Sequence, residues 1–590
     1  MQIRASTQEV AAPAMAEVQS PADVRRRDRR YFAALLLIVL ALYLLLYNGF
    51  WSPGADTAFY IGLGRSLALH DFSLKSGCFF NENFQARCPP FWPLLLAAGM
   101  KISPAFWFLN LLPLGCMLLS IGMWYWCVRR LVPPGKAFWT VLTSATLFWW
   151  YSSSNQLRTE ALYLVFFTWA MLLSWQIAEG RSQWWRIALL LLACFAMVST
   201  RWAALTCWMI LAAVLVSGRW PLPRRQWVAL ALSGVVMLGS FVGWRWLLIQ
   251  KLPPPAVVKE KSAKILGMDT PDSSDEAPSA QELIPVKRKV KDYVNQVVNA
   301  GTWLTGIFWM PTQVTIGSKT PDRVNSLLGY LLVAGYVGAV VRMWRTRQWI
   351  LLGLGIYCLS VVIRWRGSNP RYFMPVAPLL LLGIWVGFEE IASRRGRIAT
   401  VFRWCAPVFL GSVLICNLAM LAVDAYVSRS ESFYRLYYAG EAEDLVAAAR
   451  YLDGVGVKDR EVAVSAQYIN MGRLRGNGFA ERGLVLLTDR STDVVPPKVC
   501  KDEPNPELIE WALRKGVRYY VYRPPVSPWR AWHFRIRWVQ KLLDKGPIVD
   551  HPNWQLYKIE AEGSTNGTKG RAELVPIPPS EGWPTRVPGL

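Results

Sequence analysis

The feature that most constrains this chain is a succession of long apolar segments. A helix needs roughly 20 apolar residues to cross the hydrocarbon core of a bilayer, and the 590-residue sequence holds about eleven runs near that length. Hydrophobic residues make up 53% of the chain and charged residues only 18%, which exceeds what a soluble globular protein needs. We therefore predict an α-helical polytopic membrane protein with about eleven spans. The runs cover residues 31–50, 105–128, 138–152, 161–178, 187–200, 202–217, 227–249, 326–341, 350–363, 374–388 and 406–425.

The basic residues predict the orientation of these spans. The net charge of +25 would suggest nucleic-acid binding in a soluble chain, but here Lys and Arg lie in short clusters between apolar runs, so no nucleic-acid partner is expected. The first run follows a basic segment, residues 25–30, and lacks a small-residue cleavage site, which indicates an anchored helix with a cytoplasmic N-terminus. The later clusters fall on alternate connections: Arg129, Arg130 and Lys136; Arg181 and Arg186; Arg219, Arg224 and Arg225; Arg342, Arg345 and Arg347; Arg394, Arg395, Arg397 and Arg403. With an odd number of spans, the C-terminus is then expected outside the cell membrane. The protein is expected to be a multi-pass protein of the cell inner membrane.

This topology divides the chain into regions. Residues 1–30 are expected to form a disordered basic tail in the cytoplasm and residues 31–426 the transmembrane domain. Two large outer loops, residues 51–101 and 250–325, interrupt that domain. Residues 427–590 alternate helix-like and strand-like patterns, which predicts a small extracytoplasmic α/β domain. Its helical patterns cover residues 441–453 and 506–515, and its strand-like patterns cover 461–465, 483–487, 517–522 and 554–559.

Cysteine and histidine usage argues against a metal centre. The chain has ten cysteines and three histidines, without a CxxC pair or any Cys/His ligand spacing. Cys78 and Cys88 lie in the first outer loop, where they could pair; two free thiols are the alternative, which an oxidising compartment disfavours. The cysteines in or beside apolar runs are expected to be packing residues. These are Cys116, Cys127, Cys194, Cys207, Cys358, Cys405 and Cys416.

Candidate functional residues begin in the first outer loop. Asp56 precedes a helical pattern and shares a helix face with Tyr60, and the pattern around Arg65 suits an amphipathic helix on the outer membrane surface. A helix N-cap is an equally good account of Asp56. Arg87 stands before a Pro-Pro turn and is either an interfacial anchor or a specific ligand for a phosphate.

Further candidates lie at the outer ends of spans. Arg158 and Glu160 stand at a membrane boundary, where ionisable groups are costly unless they face protein or water; a helix-fixing ion pair is the competing account. Arg201 lies alone between two apolar runs, and positive charge there calls for an anionic partner such as a lipid-linked phosphate. Headgroup anchoring is the alternative. A similar cluster at another outer end comprises Arg364, Arg366, Arg371 and Tyr372.

These features together resemble the GT-C superfamily of polyprenol-dependent glycosyltransferases, which contains protein O-mannosyltransferases and lipid A aminoarabinose transferases. The resemblance covers roughly residues 30–430. The matching segments are Asp56-Thr-Ala-Phe-Tyr60, Pro89-Pro90-Phe91-Trp92-Pro93, Arg158-Thr-Glu160, Thr200-Arg201 and Asn369-Pro-Arg371-Tyr372-Phe-Met-Pro375.

The resemblance implies roles for individual residues. Asp56 would be the catalytic base that activates an acceptor hydroxyl, and Glu160 (or Glu82) would supply a second carboxylate at the catalytic centre. Arg158 would join the residues that surround the donor phosphate and sugar. That donor-binding set is Tyr60, Arg87, Arg158, Arg201, Arg371 and Tyr372.

The expected function is transfer of a sugar from a polyprenyl-phosphate donor to a lipid, polysaccharide or protein acceptor outside the membrane, with membrane lipids as surroundings. No cofactor is obligatory for such a displacement. Thr57 follows Asp56 where family members commonly carry an acidic pair, so the sequence does not support a divalent cation. The alternatives are a transporter or flippase for a lipid-linked anionic glycoconjugate, and a membrane scaffold whose tail binds a partner.

Overall fold

The structure is a computed structural model, and the residues it describes fall into separate ranges. They are residues 21–50, 55–69, 89–217, 222–251, 308, 321–345, 349–364, 370–393, 397–429, 443–458, 461–464, 466–469, 473–476, 492–494, 504–522, 555–561, 570–576 and 585–587.

Helices make up most of the described chain before residue 430. They are α1 (Pro21–Leu46), α2 (Ala55–Leu69), α3 (Phe91–Ile102), α4 (Phe106–Leu109), α5 (Leu111–Arg129), α6 (Pro134–Thr146), α7 (Phe148–Ser152), α8 (Thr159–Ala178), α9 (Trp184–Thr200), α10 (Trp208–Leu215), α11 (Arg224–Lys251), α12 (Pro321–Arg345), α13 (Ile350–Arg364), α14 (Ala377–Ala392) and α15 (Arg397–Arg429). Two 3-10 segments, Trp202–Cys207 and Pro370–Val376, lead into α10 and α14.

The prediction of a multi-pass membrane protein is confirmed. Each of the apolar runs found in the sequence coincides with a helix or with two consecutive helical segments. Within the described residues, six helical stretches are long and apolar enough to cross a bilayer. They are Ala22–Leu46, Phe106–Arg129, Thr159–Ala178, Arg224–Leu247, Tyr372–Ala392 and Ala399–Tyr426. The total of eleven spans and their direction across the membrane stay predictions.

Ion pairs join several of the basic clusters at one end of the bundle. Arg129, at the end of α5, lies 2.7 Å from Asp28 near the start of α1. Lys136, at the start of α6, lies 2.5 Å from Glu389 near the end of α14. The α5–α6 connection, the start of α1 and the end of α14 therefore share one end of the helix bundle, which we call the N-terminal face because α1 begins there.

Close helix contact through glycine holds α12 against α14. Gly387 of α14 faces Gly335 of α12, and a Cβ atom at Gly387 would overlap the carbonyl oxygen of Gly335. Gly338 also faces α14, since a Cβ there would come within 3.1 Å of the Gly387 carbonyl oxygen. Small residues allow the backbones of membrane helices to approach in this way. The contact matters to the site because α14 continues directly from the 3-10 segment Pro370–Val376.

We expect Gly387→Ala to destabilise the protein by about 1–3 kcal/mol or more, because the added methyl group forces α12 and α14 apart. Gly411→Ala in α15 is the matched control, since a Cβ at Gly411 meets no atom within 4 Å among the described residues. Thermal unfolding in detergent measures both. Equal melting temperatures for the two variants would contradict the tight α12–α14 contact.

The first-loop helix α2 differs from its expected form. An amphipathic helix on the membrane surface was predicted, but residues 57–68 are buried apart from half-buried Tyr60, and even Arg65 is only 1% exposed. Helix α3 covers α2, with a Cβ at Gly64 predicted to approach Leu96 Cβ within 2.9 Å. The expectation was wrong because periodicity within one helix does not show that a second helix packs along its apparent polar face.

The C-terminal region contains the predicted mixture of helix and strand. Helices α16 (Glu443–Gly454) and α17 (Pro506–Lys515) accompany a five-stranded sheet. The strands are β1 (Val462–Val464), β2 (Ala466–Ile469), β3 (Arg473–Gly476), β4 (Thr492–Val494), β5 (Tyr519–Tyr522), β6 (Gln555–Ala561) and β7 (Gly570–Val575). The sheet order is β4-β1-β5-β6-β7, with β1 parallel to β4 and β5 and the remaining pairs antiparallel, while β2 and β3 form a separate hairpin.

The C-terminal region packs against the first outer loop. Val587 and Val446 join the apolar cluster around Trp92 of α3. The chain near Arg586 also pairs with the α3–α4 connection, where the amide of Phe106 donates to the carbonyl of Thr585 at 2.9 Å. These contacts place the C-terminal region at the end of the bundle that carries α2 and α3.

Candidate active site

Arg201 occupies the junction between α9 and the following 3-10 segment. Its backbone is extended (φ −155°, ψ 127°), so the chain turns there and the side chain is aimed into the bundle. Its Nη1 lies 2.5 Å from Oε1 of Glu160, and only 15% and 8% of the two side chains are exposed. Two opposite charges this deeply buried must be matched to each other, because an unpaired charge at this depth is costly.

Glu160 is fixed by the first turn of α8. Arg158 precedes that helix in an extended conformation, and Thr159 begins it. The Thr159 hydroxyl donates to Oε2 of Glu160 at 3.4 Å and accepts from Nη1 of Arg201 at the same distance. The three side chains therefore form one polar cluster at the start of a membrane-spanning helix.

Tyr372 completes the opposite wall of this cluster. The Arg201 guanidinium lies 5.4 Å from the centre of the Tyr372 ring, which is a cation–π arrangement. Two buried side chains hold the segment carrying that ring: the Tyr357 hydroxyl donates to the Tyr372 carbonyl at 2.6 Å, and Trp150 Nε1 donates to the Met374 carbonyl at 2.9 Å. The ring is thus positioned by α7 and α13 and not by its own short segment alone.

The first-loop helix reaches the same cluster through Tyr60. The Tyr60 hydroxyl lies close enough to Arg201 to interact electrostatically with the guanidinium. Asp56 is the second residue of α2 and precedes Tyr60 by one helical turn. Residues four apart share a helix face, so the backbone places Asp56 on the face of α2 that carries Tyr60; its side chain lies outside the described residues.

A narrow cleft runs between these groups. It encloses about 10 Å³, about the space that one water molecule needs, and Glu160, Arg201, Tyr163, Tyr357 and Tyr372 line it. Within the described part of the chain, the hydrogen bonds of Arg201 run through Nη1 to Glu160 and Thr159. Its Nε and Nη2 form the edge of the guanidinium that can grip an oxyanion in a bidentate manner. A phosphate group binds here only if the cleft widens.

The structure therefore brings together Glu160, Arg201 and Tyr372, with Arg158 immediately before the helix that carries Glu160. Tyr60 acts on the Arg201 guanidinium electrostatically. Arg371 lies beside Tyr372 in the 3-10 segment Pro370–Val376, but its side chain is outside the described residues. The other predicted positions also fall outside them. These are Arg87, Glu82, Cys78 and Cys88. The roles of all these residues stay predictions.

Three residues that shape this region are absent from the site predicted from the sequence. Tyr357 and Trp150 hold the Tyr372 segment, and no sequence signal marks them among many aromatic residues. Asp424 is different, because it is an ionisable residue inside the apolar run 406–425 and such residues are candidates by default. Its Oδ2 accepts a 2.6 Å hydrogen bond from Tyr151 of α7, and both side chains are 1% exposed.

No metal site can be assembled from the described residues, since none of them form a group of three or more His, Cys, Asp or Glu side chains placed to hold an ion. The side chains of Asp56 and Glu82 lie outside the described residues. The seven cysteines of the apolar runs are free thiols, buried or half-buried, as their packing role predicts.

Comparison with known proteins gives structural likenesses only. No protein-family profile and no curated protein sequence matches the chain. Among solved structures, the chain is similar to the archaeal oligosaccharyltransferase AglB from Archaeoglobus fulgidus, in complex with an inhibitory peptide and a dolichol-phosphate. The TM-score is 0.48 at 13% identity, covering 84% of this chain and 69% of that one.

A second likeness is to ArnT from Cupriavidus metallidurans bound to undecaprenyl phosphate, with a TM-score of 0.47 at 13% identity over 89% of this chain and 97% of that one. AglB and ArnT are polyprenyl-phosphate-dependent enzymes of the GT-C superfamily. This is the superfamily that the sequence motifs resemble. At these scores the likeness concerns the general course of the chain and assigns no role to any residue.

Proposed function

We propose that this chain is a membrane glycosyltransferase that takes a sugar from a polyprenyl-phosphate donor and transfers it to an acceptor hydroxyl or amide on the face opposite the N-terminal face. The observation that carries the proposal is the Arg201 cluster. A buried guanidinium, paired with Glu160 and stacked on Tyr372 at the end of several spans, is suited to a phosphate that arrives with its hydrocarbon chain in the membrane.

The proposed reaction is a single displacement at the anomeric carbon. The acceptor oxygen or nitrogen forms the new bond to that carbon while the bond from the carbon to the phosphate oxygen breaks. The electron pair leaves with the polyprenyl phosphate, whose added negative charge Arg201 stabilises. The acceptor proton passes to Asp56 as general base. Atoms and charges balance without a cofactor, so the proposal invokes none.

Glu160 has a defined part in this scheme. Before the donor binds, its carboxylate neutralises Arg201 and keeps the buried guanidinium in place. The donor phosphate competes for the same cation, because both are anions that accept from guanidinium N–H groups. Displaced from Arg201, Glu160 becomes a second carboxylate at the catalytic centre, and Tyr372 stays against the guanidinium as the fixed wall.

The proposal extends to topology and domains. The N-terminus would lie in the cytoplasm, and the Arg201 cluster and residues 427–590 would face outward across the inner membrane. The contact between Val587 and the α3 cluster supports this grouping, because it joins the C-terminal region to the first outer loop. A soluble domain there is well placed to bind part of an acceptor.

Asp424 is the observation that most favours the transporter alternative, since buried ionisable groups in spans mark substrate pathways. However, Asp424 lies near the end of its span, Ala399–Tyr426, and so its carboxylate is not in the middle of the bundle. Its carboxylate accepts from Tyr151 of α7, the helix that also carries Trp150. A role in holding α7 beside the Tyr372 segment accounts for it, so transfer remains the better proposal.

Sealed proteoliposomes containing the full chain separate the two functions. They are given radiolabelled polyprenyl-phosphate sugars and a membrane extract as the source of acceptor. Transferase activity moves the label from the lipid carrier to an acceptor fraction and releases free polyprenyl phosphate. A transporter moves intact labelled donor between the leaflets and cleaves none of it, and that result would refute the proposed function.

A further inference from the structure

A second polar pocket lies at the other end of α8, on the N-terminal face. It encloses about 650 Å³, far more than the Arg201 cleft, and we call it the α5–α8 pocket. Its walls come from the last turns of α5 and α8. The lining residues are Trp126, Arg129, Arg130, Leu172, Gln176 and Glu179.

The pocket is distinct from the candidate active site. Glu160 is the second residue of α8, and Glu179 follows the last one. At 1.5 Å per residue this separation amounts to about 28 Å, roughly the thickness of the hydrocarbon core of a bilayer. A ligand in the α5–α8 pocket therefore lies at the opposite membrane interface from the Arg201 cluster.

Two of the residues that line this pocket are arginines with hydrogen-bonding capacity to spare. Arg130 is tied by Nε to Glu179 at 3.4 Å and by Nη1 to the Leu172 carbonyl at 3.4 Å. Arg129 is tied by Nε to Asp28 and by Nη1 to the Val132 carbonyl. Each guanidinium carries five N–H donors, so within the described residues each has an Nη2 group left over. The two held guanidinium groups can both face one anion.

Apolar surface leads from the bilayer into the same pocket. On α5, Leu119 and Trp126 are exposed, at 56% and 39%, and lie seven residues apart on one side of the helix. On α8, Trp169 and Leu172 are only partly covered by the core. A hydrocarbon chain can lie along these side chains, and an indole such as that of Trp126 is suited to the headgroup level of a membrane.

We propose that the α5–α8 pocket binds the phosphate of an anionic membrane phospholipid, with its acyl chains along α5 and α8. Basic pockets between membrane helices at an interface recognise such headgroups. A soluble phosphate ester would satisfy the arginines equally well, but it would leave the exposed apolar surface beside them unused. The basic residues at the start of α1, which include Arg25, Arg26 and Arg27, add to the attraction for anionic lipid.

Native mass spectrometry of the full chain tests the proposal, with phosphatidylglycerol as probe and zwitterionic phosphatidylcholine for comparison. The double variant Arg129→Gln/Arg130→Gln is expected to retain phosphatidylglycerol about tenfold less well or worse than the native chain. The matched control is Arg181→Gln/Arg186→Gln, which removes one charge from the α8–α9 connection and one from the first turn of α9, both outside the pocket. It should retain the lipid within about twofold of native.

A second variant is needed because Arg129 also pairs with Asp28, so the double variant could lose the lipid by misfolding. Leu172→Trp keeps both arginines and places a bulky ring where the pocket meets the apolar surface of α8, so it should weaken the retention of phosphatidylglycerol as well. Retention of the lipid by both pocket variants, or equal loss in the control, would overturn the proposal. Displacement of the lipid by glycerol 3-phosphate at equal concentration would show that the pocket selects a soluble phosphate, which would overturn it too.

Discussion

Asp56→Asn is expected to reduce turnover by about 10²–10⁴-fold, the usual contribution of a positioned general base, while leaving donor affinity unchanged. Asparagine has nearly the same shape as aspartate but cannot take the acceptor proton. The measurement is a single-turnover assay with radiolabelled polyprenyl-phosphate sugar, together with equilibrium binding of the same donor. Asp453→Asn is the matched control, because it changes an exposed carboxylate of α16, a helix of the C-terminal region.

Two outcomes would count against the assignment of Asp56. Full turnover in Asp56→Asn would show that another group takes the proton, with Glu160 as the next candidate. Loss of donor binding together with turnover would instead give Asp56 a binding role or the structural role of a helix N-cap. In either case Asp453→Asn must show the native turnover rate and the native donor affinity, because this shows that the assay does not respond to an unrelated carboxylate.

The second large effect concerns the Arg201–Glu160 pair. Arg201→Gln is expected to lower kcat/KM by about 10²–10³-fold, as removal of one group that stabilises developing charge does. It should also destabilise the protein by about 3–5 kcal/mol, because Glu160 is left as an uncompensated buried charge. A double-mutant cycle with Glu160→Gln separates the two effects.

In that cycle the variant Glu160→Gln/Arg201→Gln should recover most of the lost stability but none of the lost activity. Its two amides can hydrogen-bond to each other, yet neither carries the positive charge that the departing phosphate needs. Arg514→Gln serves as the control, since the exposed Arg514–Glu510 pair should contribute at most about 0.5 kcal/mol. If the double variant recovered activity together with stability, the role of Arg201 would be structural only.

Much of this site was predictable from local sequence. Arg158 and Glu160 were expected at the start of a span and Arg201 between two runs, and the helix boundaries at Thr159 and Thr200 agree. What the sequence could not show is that Glu160 and Arg201 pair with each other. They lie on different helices, and helix periodicity carries no information about which neighbours meet. The support of Tyr372 by Tyr357 and Trp150 is long-range in the same sense.

The remaining differences have similar physical causes. Helix α2 was expected to have a polar face toward water, but α3 and the C-terminal segment cover it, so a local pattern gave the wrong environment for Arg65. In the soluble region, α17 matches its predicted residues 506–515, because Asn505 caps its start and Gly516 ends it with a positive φ of 73°. Strands β2, β3, β4 and β7 escaped prediction because they are short or polar, so their apolar patterns are weak. The predicted strand 483–487 lies outside the described residues.

The most direct test of the central claim is to locate the phosphate of bound polyprenyl phosphate in an electron cryomicroscopy map of the full chain. We predict that the phosphate lies within hydrogen-bond distance of the Arg201 guanidinium and that Tyr60 and Tyr372 flank the phosphate. The contact between the Glu160 carboxylate and Arg201 Nη1 should be broken. A phosphate bound away from Arg201, with the Glu160–Arg201 pair still closed, would contradict the proposed site.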